Sequence, residues 1–137
     1  MLKKTVFFFT IMALLVFCCS GVYANITPDS QYLIQDMSSS LAPTTSGDSL
    51  LVYGNTYTYF TVDEVSVTVY LQHWNGSSWS DVGNPITKTK YNERRVLTSA
   101  ERVVAKNELY RTRSIHQAKT GGMTETKYFY YNSYYYQ

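Results

Sequence analysis

Val65, Val67, Val69 and Leu71 alternate with Ser66, Thr68, Tyr70 and Gln72. An apolar residue at every second position puts these four aliphatic side chains on one face of an extended strand and the polar ones on the other. A helix would scatter the same residues around its axis. The run predicts a half-buried strand over Glu64–Gln72. It also predicts neighbours, because a lone strand leaves its backbone N–H and C=O groups unpaired.

The flanking sequence supplies those neighbours. Asn75-Gly76 is a hairpin signal. A loop of Asn75 to Ser78 sets Trp79 against Trp74 and Val82 against Leu71; a two-residue loop would set Trp79 against Gln72. The first register matches apolar to apolar on the core face and is preferred. Leu109 to Ala118 alternates again. Leu109, Arg111, Arg113, Ile115 and Gln117 share one face, and Tyr110, Thr112, Ser114, His116 and Ala118 share the other. The second face is small and uncharged and is expected to point inward. Gly121-Gly122 closes another hairpin, from which Met123 to Tyr131 returns. Leu50 to Tyr53 reads as a strand, Gly54-Asn55 as a turn and Thr56 to Thr61 as the next strand. Pro85 to Asn92 reads as a connection or edge segment, and Arg95 to Ala105 as one bent strand, two short ones or a segment with a helical turn. Asn107-Glu108-Leu109-Tyr110, leading into a strand, is compatible with a tyrosine corner. No long stretch has helical periodicity. Short strands at regular spacing predict an all-β, single-domain antiparallel β-sandwich of the immunoglobulin or fibronectin kind.

The N-terminus reads differently. Lys3 and Lys4 precede an apolar run from Val6 to Cys19, and Val22-Tyr23-Ala24 then offers small residues where a signal peptidase reads. Residues 1–24 are expected to be a secretory signal cleaved after Ala24. The run is shorter than the roughly 20 apolar residues of a stable span, so no integral membrane span is expected in the mature chain. Phe17 and Cys18 stand where a lipidated cysteine needs a small neighbour. Both cysteines, Cys18 and Cys19, leave with the signal. The mature chain is then cysteine-free in a compartment that permits disulfides, and its stability must come from an ordinary core. Residues 25–47, rich in Ser, Thr and Pro, read as an extended arm with Tyr32-Leu33-Ile34 as its apolar piece. Residues 48–137 form the expected sandwich domain.

Charge is uneven. Asp29, Asp36, Asp48, Asp63, Glu64 and Asp81 occur before Lys88 with no base among them after the signal; from Lys88 onward ten bases face four acids. Strands of a sandwich interleave the two halves, so mutual neutralisation is expected; the alternative is a basic face for an anionic envelope polymer, a membrane or nucleic acid. A near-neutral mature chain argues against a dedicated nucleic-acid binder.

Val67-Thr68-Val69-Tyr70-Leu71-Gln72, Asn75-Gly76-Ser77-Ser78-Trp79, Tyr110-Arg111-Thr112-Arg113-Ser114-Ile115-His116 and Gly121-Gly122-Met123-Thr124-Glu125 resemble the pattern of a family of small exported Gram-positive (Firmicutes) proteins whose function is unknown. The resemblance covers about residues 30–131 and is one of strands and turns. It implies a secreted β-sandwich and brings no activity with it. The C-terminal tyrosine cluster departs from the pattern.

Candidate chemistry is sparse. His73 and His116 are the two histidines; with no thiolate they make no zinc set, so neither a metal nor a cofactor is expected. Folding at Gly121-Gly122 puts Glu125 on the face of His116, directly opposite or one pair away. A hydrolase base oriented by a carboxylate is the sharp reading; a structural hydrogen bond that pins the hairpin is the favoured one. Tyr70, Gln72 and Trp74 share an outward parity with Trp79 across the hairpin, a platform on which a sugar or a partner protein could stack. Tyr128, Tyr130, Tyr134, Tyr135 and Tyr136 crowd an uncharged C-terminus. That tail is expected either to pair edge to edge with another molecule or to pack back over its own sheet. The function expected from these features is a secreted non-catalytic module for binding or assembly at the bacterial cell surface, with a cell-wall glycan, another surface protein or itself as partner. The alternatives are a bacteriocin-like toxin acting on a competitor envelope and a carbohydrate-binding module.

Overall fold

The computed structural model describes residues 32–137. The expected export signal, its cleavage point and the first part of the arm lie outside the described residues. Seven strands make one antiparallel sheet: β1 (Ile34–Pro43), β2 (Ser49–Trp74), β3 (Trp79–Asp81), β4 (Ile86–Val103), β5 (Glu108–Thr120), β6 (Met123–Tyr130) and β7 (Tyr134–Tyr136). β2 is its spine. One edge of β2 pairs with β4 and then β3 along its length. The other edge pairs first with β1, over Leu50–Thr58, and then with β5, over Glu64–His73. β6 and β7 continue outward from β5.

The sheet curls because β2 bends. Pairing with β4 breaks between Tyr57 and Val62 on β2, where β4 advances only from Arg95 to Glu93. The extra residues make a bulge, which bends the strand and strengthens its twist. Thr58 pins the corner: its hydroxyl reaches the carbonyls of Phe60 at 2.7 Å and Arg94 at 3.0 Å. On β4, Asn92 takes a left-handed backbone (φ 55°) at the same corner, a conformation asparagine tolerates better than most residues. The bulge also changes the inward parity. Leu50, Val52, Thr56 and Thr58 are buried before it, and Val65, Val67, Val69 and Leu71 after it.

The two halves of the curl face each other across this core, and at Gly54 one lies directly against the other. A Cβ built there would lie 2.3 Å from Val69 Cγ2 and 3.0 Å from Val67 Cγ2. Gly54-Asn55 is therefore not the turn the sequence predicted. Glycine is needed because another strand crosses over it, which is the other meaning of a glycine inside a strand. Leu50–Tyr53 and Thr56–Thr61 accordingly belong to one strand. Similarly, Pro85–Asn92 and Arg95–Ala105 are largely one strand, β4, with one edge unpaired among the described residues. That edge carries Lys88, Lys90, Arg94, Arg95 and Arg102, charges of the kind that discourage edge-to-edge pairing.

Both predicted hairpins form as read. Trp74 pairs with Trp79, and the N–H of Val82 donates to the carbonyl of Leu71 at 2.8 Å. Asn75 Oδ1 accepts from the N–H groups of Ser77 and Ser78, which closes the loop. Gly121 and Gly122 turn at φ 54° and 81° between the pair Thr120 and Met123. The buried face of β5 is the expected one: Tyr110, Thr112, Ser114, His116 and Ala118. The Tyr110 hydroxyl donates to the Ala105 carbonyl at 3.1 Å, the backward contact expected of a tyrosine corner.

Within the expected arm, Ile34–Pro43 form the edge strand β1. The N–H groups of Leu33, just before β1, and of Ile34, its first residue, donate to Glu125 on β6. The tyrosine tail also belongs to the sheet. β7 pairs with Glu108–Tyr110 of β5, Tyr136 is 2% exposed, and its hydroxyl donates to the Gly47 carbonyl at 2.6 Å. Within the chain the tail extends its own sheet at the edge of β5, and Tyr136 belongs to the core.

Candidate ligand-binding face

Alternation sets which side chains of the second half of the sheet point away from the core. On β2 they are Tyr70, Gln72 and Trp74; on β3, Trp79 and Asp81; on β5, Arg111 and Arg113; on β6, Tyr128 and Tyr130. Tyr135 of β7 lies on the same face opposite Leu109. The four residues expected to form a platform are thus brought together. Tyr128, Tyr130 and Tyr135, expected to serve assembly, join the same surface, at 60%, 53% and 50% exposure. Tyr134 faces the other way, half-buried against the core.

The centre of this face is built from arginine and aromatic rings. The Arg113 guanidinium lies 3.9 Å above the Tyr70 ring. That of Arg111 lies 4.3 Å from the Trp79 ring and 5.1 Å from that of Tyr130. Trp74 and Trp79 pack against each other with centroids 5.4 Å apart at 55°. Each cation over a ring contributes roughly 0.5–2 kcal/mol, more as water is excluded. A polar chain underlies the stack: Gln72 Nε2 donates to Asp81 at 2.8 Å, and Arg111 Nε donates to Gln72 Oε1 at 2.9 Å. Gln72 is 7% exposed. It therefore positions Arg111 rather than meeting a ligand. Trp79 and Tyr70 likewise hold guanidiniums over their rings, so the open ring area belongs to Trp74 and the tyrosines of β6 and β7.

Arg111 and Arg113 are functional residues that the sequence alone does not single out: alternation puts both on the outward face, but their pairing with Gln72 and Tyr70 depends on the β2–β5 register, for which there is no local signal. Charge interleaving does occur: Asp81 lies 3.8 Å from Arg113, and Glu64 accepts from Lys119 at 2.8 Å.

His116 and Glu125 share a face one pair apart, His116 opposite Lys127 and Glu125 opposite Ala118. The expected hydrogen bond between them is not made, because each has closer partners. Glu125 accepts from the N–H groups of Leu33 and Ile34 and from Lys127 at 3.0 Å. Burial would raise its pKa, but the Ile34 N–H, Lys127 and the Leu33 N–H outweigh that and hold the carboxyl below its usual range. His116 is fully buried, with Nδ1 2.8 Å from Thr56 Oγ1 and Nε2 2.8 Å from Ser114 Oγ. The Thr56 hydroxyl also reaches the Ser66 carbonyl at 3.0 Å, and that of Ser114 reaches Ser39 Oγ at 3.1 Å and the Phe129 carbonyl at 3.3 Å, so each ring nitrogen faces a hydroxyl with further partners of its own. Ser39 and Thr112, 2.7 Å apart, extend the network to β1. Burial pushes the imidazole down to about 4, against a small opposing pull from Asp36. A serine bonded to a neutral imidazole is the pairing a hydrolase uses, but both side chains are sealed in the core, where no substrate reaches them.

His73 lies apart, bonded to Glu108 at 2.9 Å. Among the described residues no three His, Cys, Asp or Glu side chains converge on a metal position. A shallow depression of about 440 Å³ lies elsewhere, at the β1–β2 turn, lined by residues including Thr44, Leu51 and Glu101. Set beside models of known families, curated proteins and solved structures, the chain matches none.

Proposed function

We propose that this chain is an exported, non-catalytic binding module that works at the surface of a Gram-positive cell and takes a cell-wall glycan on the outer face of β2, β3, β5 and β6. One observation carries the reading: two half-buried, ring-stacked arginines sit between aromatic side chains that are themselves half exposed. Flat, rigid rings offer contact area at low cost in side-chain entropy, and stacked guanidiniums arrive at a ligand already ordered. Lys3, Lys4, the apolar run to Cys19 and Ala24 support export. The sealed Ser114–His116 pair supports a structural rather than catalytic role for the histidine. The curled sheet is best grouped with β-sandwiches of the immunoglobulin and fibronectin kind, a grouping supported by its two facing halves and the Tyr110 contact.

The test is sedimentation of the protein with insoluble peptidoglycan and wall polysaccharide, alongside tryptophan fluorescence. The expected result is retention on the solid and a change in Trp74 and Trp79 emission, both weakened about tenfold or more by Trp74→Ala, the loss typical of a central aromatic contact. Retention that Trp74→Ala leaves untouched would move the site elsewhere.

A further inference from the structure

The arginines narrow the ligand. Among the described residues, Nε of Arg111 is the one N–H of either guanidinium with an acceptor in hydrogen-bonding distance, at Gln72. The nearest carboxylate oxygen to Arg113, on Asp81, is 3.8 Å away, too far for a hydrogen bond. Each guanidinium spends its flat face on a ring, at 3.9 Å over Tyr70 and 4.3 Å from Trp79. Stacking leaves the N–H edges, which lie in the plane of the group, open apart from the Arg111 Nε bond to Gln72. A planar fork with open edges is the shape that receives a carboxylate or phosphate through two parallel hydrogen bonds. The two forks stand two residues apart on one strand, about 7 Å between Cα atoms, with Tyr130 directly across from Arg113.

Resting on the binding reading above, we infer that the ligand is an acidic polysaccharide whose sugar rings carry carboxylates. A pyranose with a carboxylate joins an apolar ring face to an anion in one unit. It can lie on Tyr130 or Tyr128 while its carboxylate meets Arg113 or Arg111. A phosphodiester-linked polyol supplies the anions without rings to stack and would leave the tyrosines idle. A neutral glycan supplies the rings and leaves both forks unpaired. The near-zero charge of the whole mature chain does not oppose this, since a ligand meets the local arrangement, and two arginines here face Asp81 alone.

The experiment is calorimetric titration of the protein with oligogalacturonate, neutral galacto-oligosaccharide, a polyol phosphate and single-stranded RNA, each at two salt concentrations. Oligogalacturonate is expected to bind best and to weaken with salt. Arg111→Gln and Arg113→Gln should each weaken it about tenfold, the order of one lost charge-assisted pair. Arg113→Lys keeps the charge but not the fork and should also lose affinity, whereas Lys88→Gln, on β4, should change nothing. Thermal melts confirm that each variant is folded. Neutral sugar binding as well as the acidic one, indifferent to both arginine variants, would overturn the acidic ligand and leave the binding face standing. Tighter binding of RNA or polyol phosphate would overturn it in favour of another polyanion. No binding to any of the four, together with no retention on wall material, would overturn both readings.

Discussion

At the scale of single residues, Gly54 and His116 carry more of the fold than their types advertise. Gly54 lets one limb of the curled sheet lie against Val67 and Val69. Gly54→Ala adds one methyl at 2.3 Å from a buried methyl, so it should destabilise the protein by about 1–3 kcal/mol, the usual cost of overpacking. A urea midpoint measures it. His116 makes stability depend on pH with a definite sign. Its folded pKa, about 4, lies below the ordinary value near 6.5. Between those pH values the unfolded chain takes up a proton that the folded chain refuses. Stability is therefore full above about pH 6.5 and falls as pH drops toward 4, by up to about 3 kcal/mol. Glu125, held below the usual carboxylate range, adds a further loss at lower pH as it protonates and releases the start of β1. Urea melts at pH 7, 5.5 and 4.5 should show the decline, and His116→Gln should flatten the part above pH 4 while lowering stability at pH 7.

At the scale of elements, the tail is the sharpest case. β7 covers the edge of β5 at Glu108–Tyr110, and Tyr136 fills the core beneath Gly47. Tyr136→Ala should cost about 3–5 kcal/mol, as for other large buried aromatics, and a chain ending at Asn132 should lose at least as much. A truncated chain as stable as the intact one would mean that the tail is not part of the core. How legible each element was follows from how local its cause is. The Val65–Leu71 alternation, the Asn75 loop and the Gly121-Gly122 turn are set by residues in contact along the chain, and they appear as read. β2 was split at Gly54 because a glycine that turns and a glycine that is crossed look alike in one dimension. The partner of β7 stays open in the sequence because Glu108–Tyr110 lies more than twenty residues earlier in the chain. The binding face was half legible: the outward parity of Tyr70, Trp74 and Arg111 is local, whereas the union of β3, β2, β5 and β6 into one surface depends on register between strands.

At the scale of the whole molecule, the curl separates two tasks. Its concave side holds the aliphatic core and the sealed network from Ser39 to Thr56. The convex side of the second half gathers rings and arginines where nothing in the core needs them. Trp74, Tyr128 and Tyr130 can be changed there at modest expense to stability, so binding and folding should respond to different substitutions. The most direct measurement is a heteronuclear NMR titration of the protein with a wall-derived acidic oligosaccharide, following the indole N–H signals of Trp74 and Trp79 and the Nε signals of Arg111 and Arg113. Shifts confined to those groups and to the outer residues of β2, β3, β5 and β6 are the predicted result. Shifts centred on β1 or the β4 edge, or none at saturating ligand, would contradict the assignment of this face.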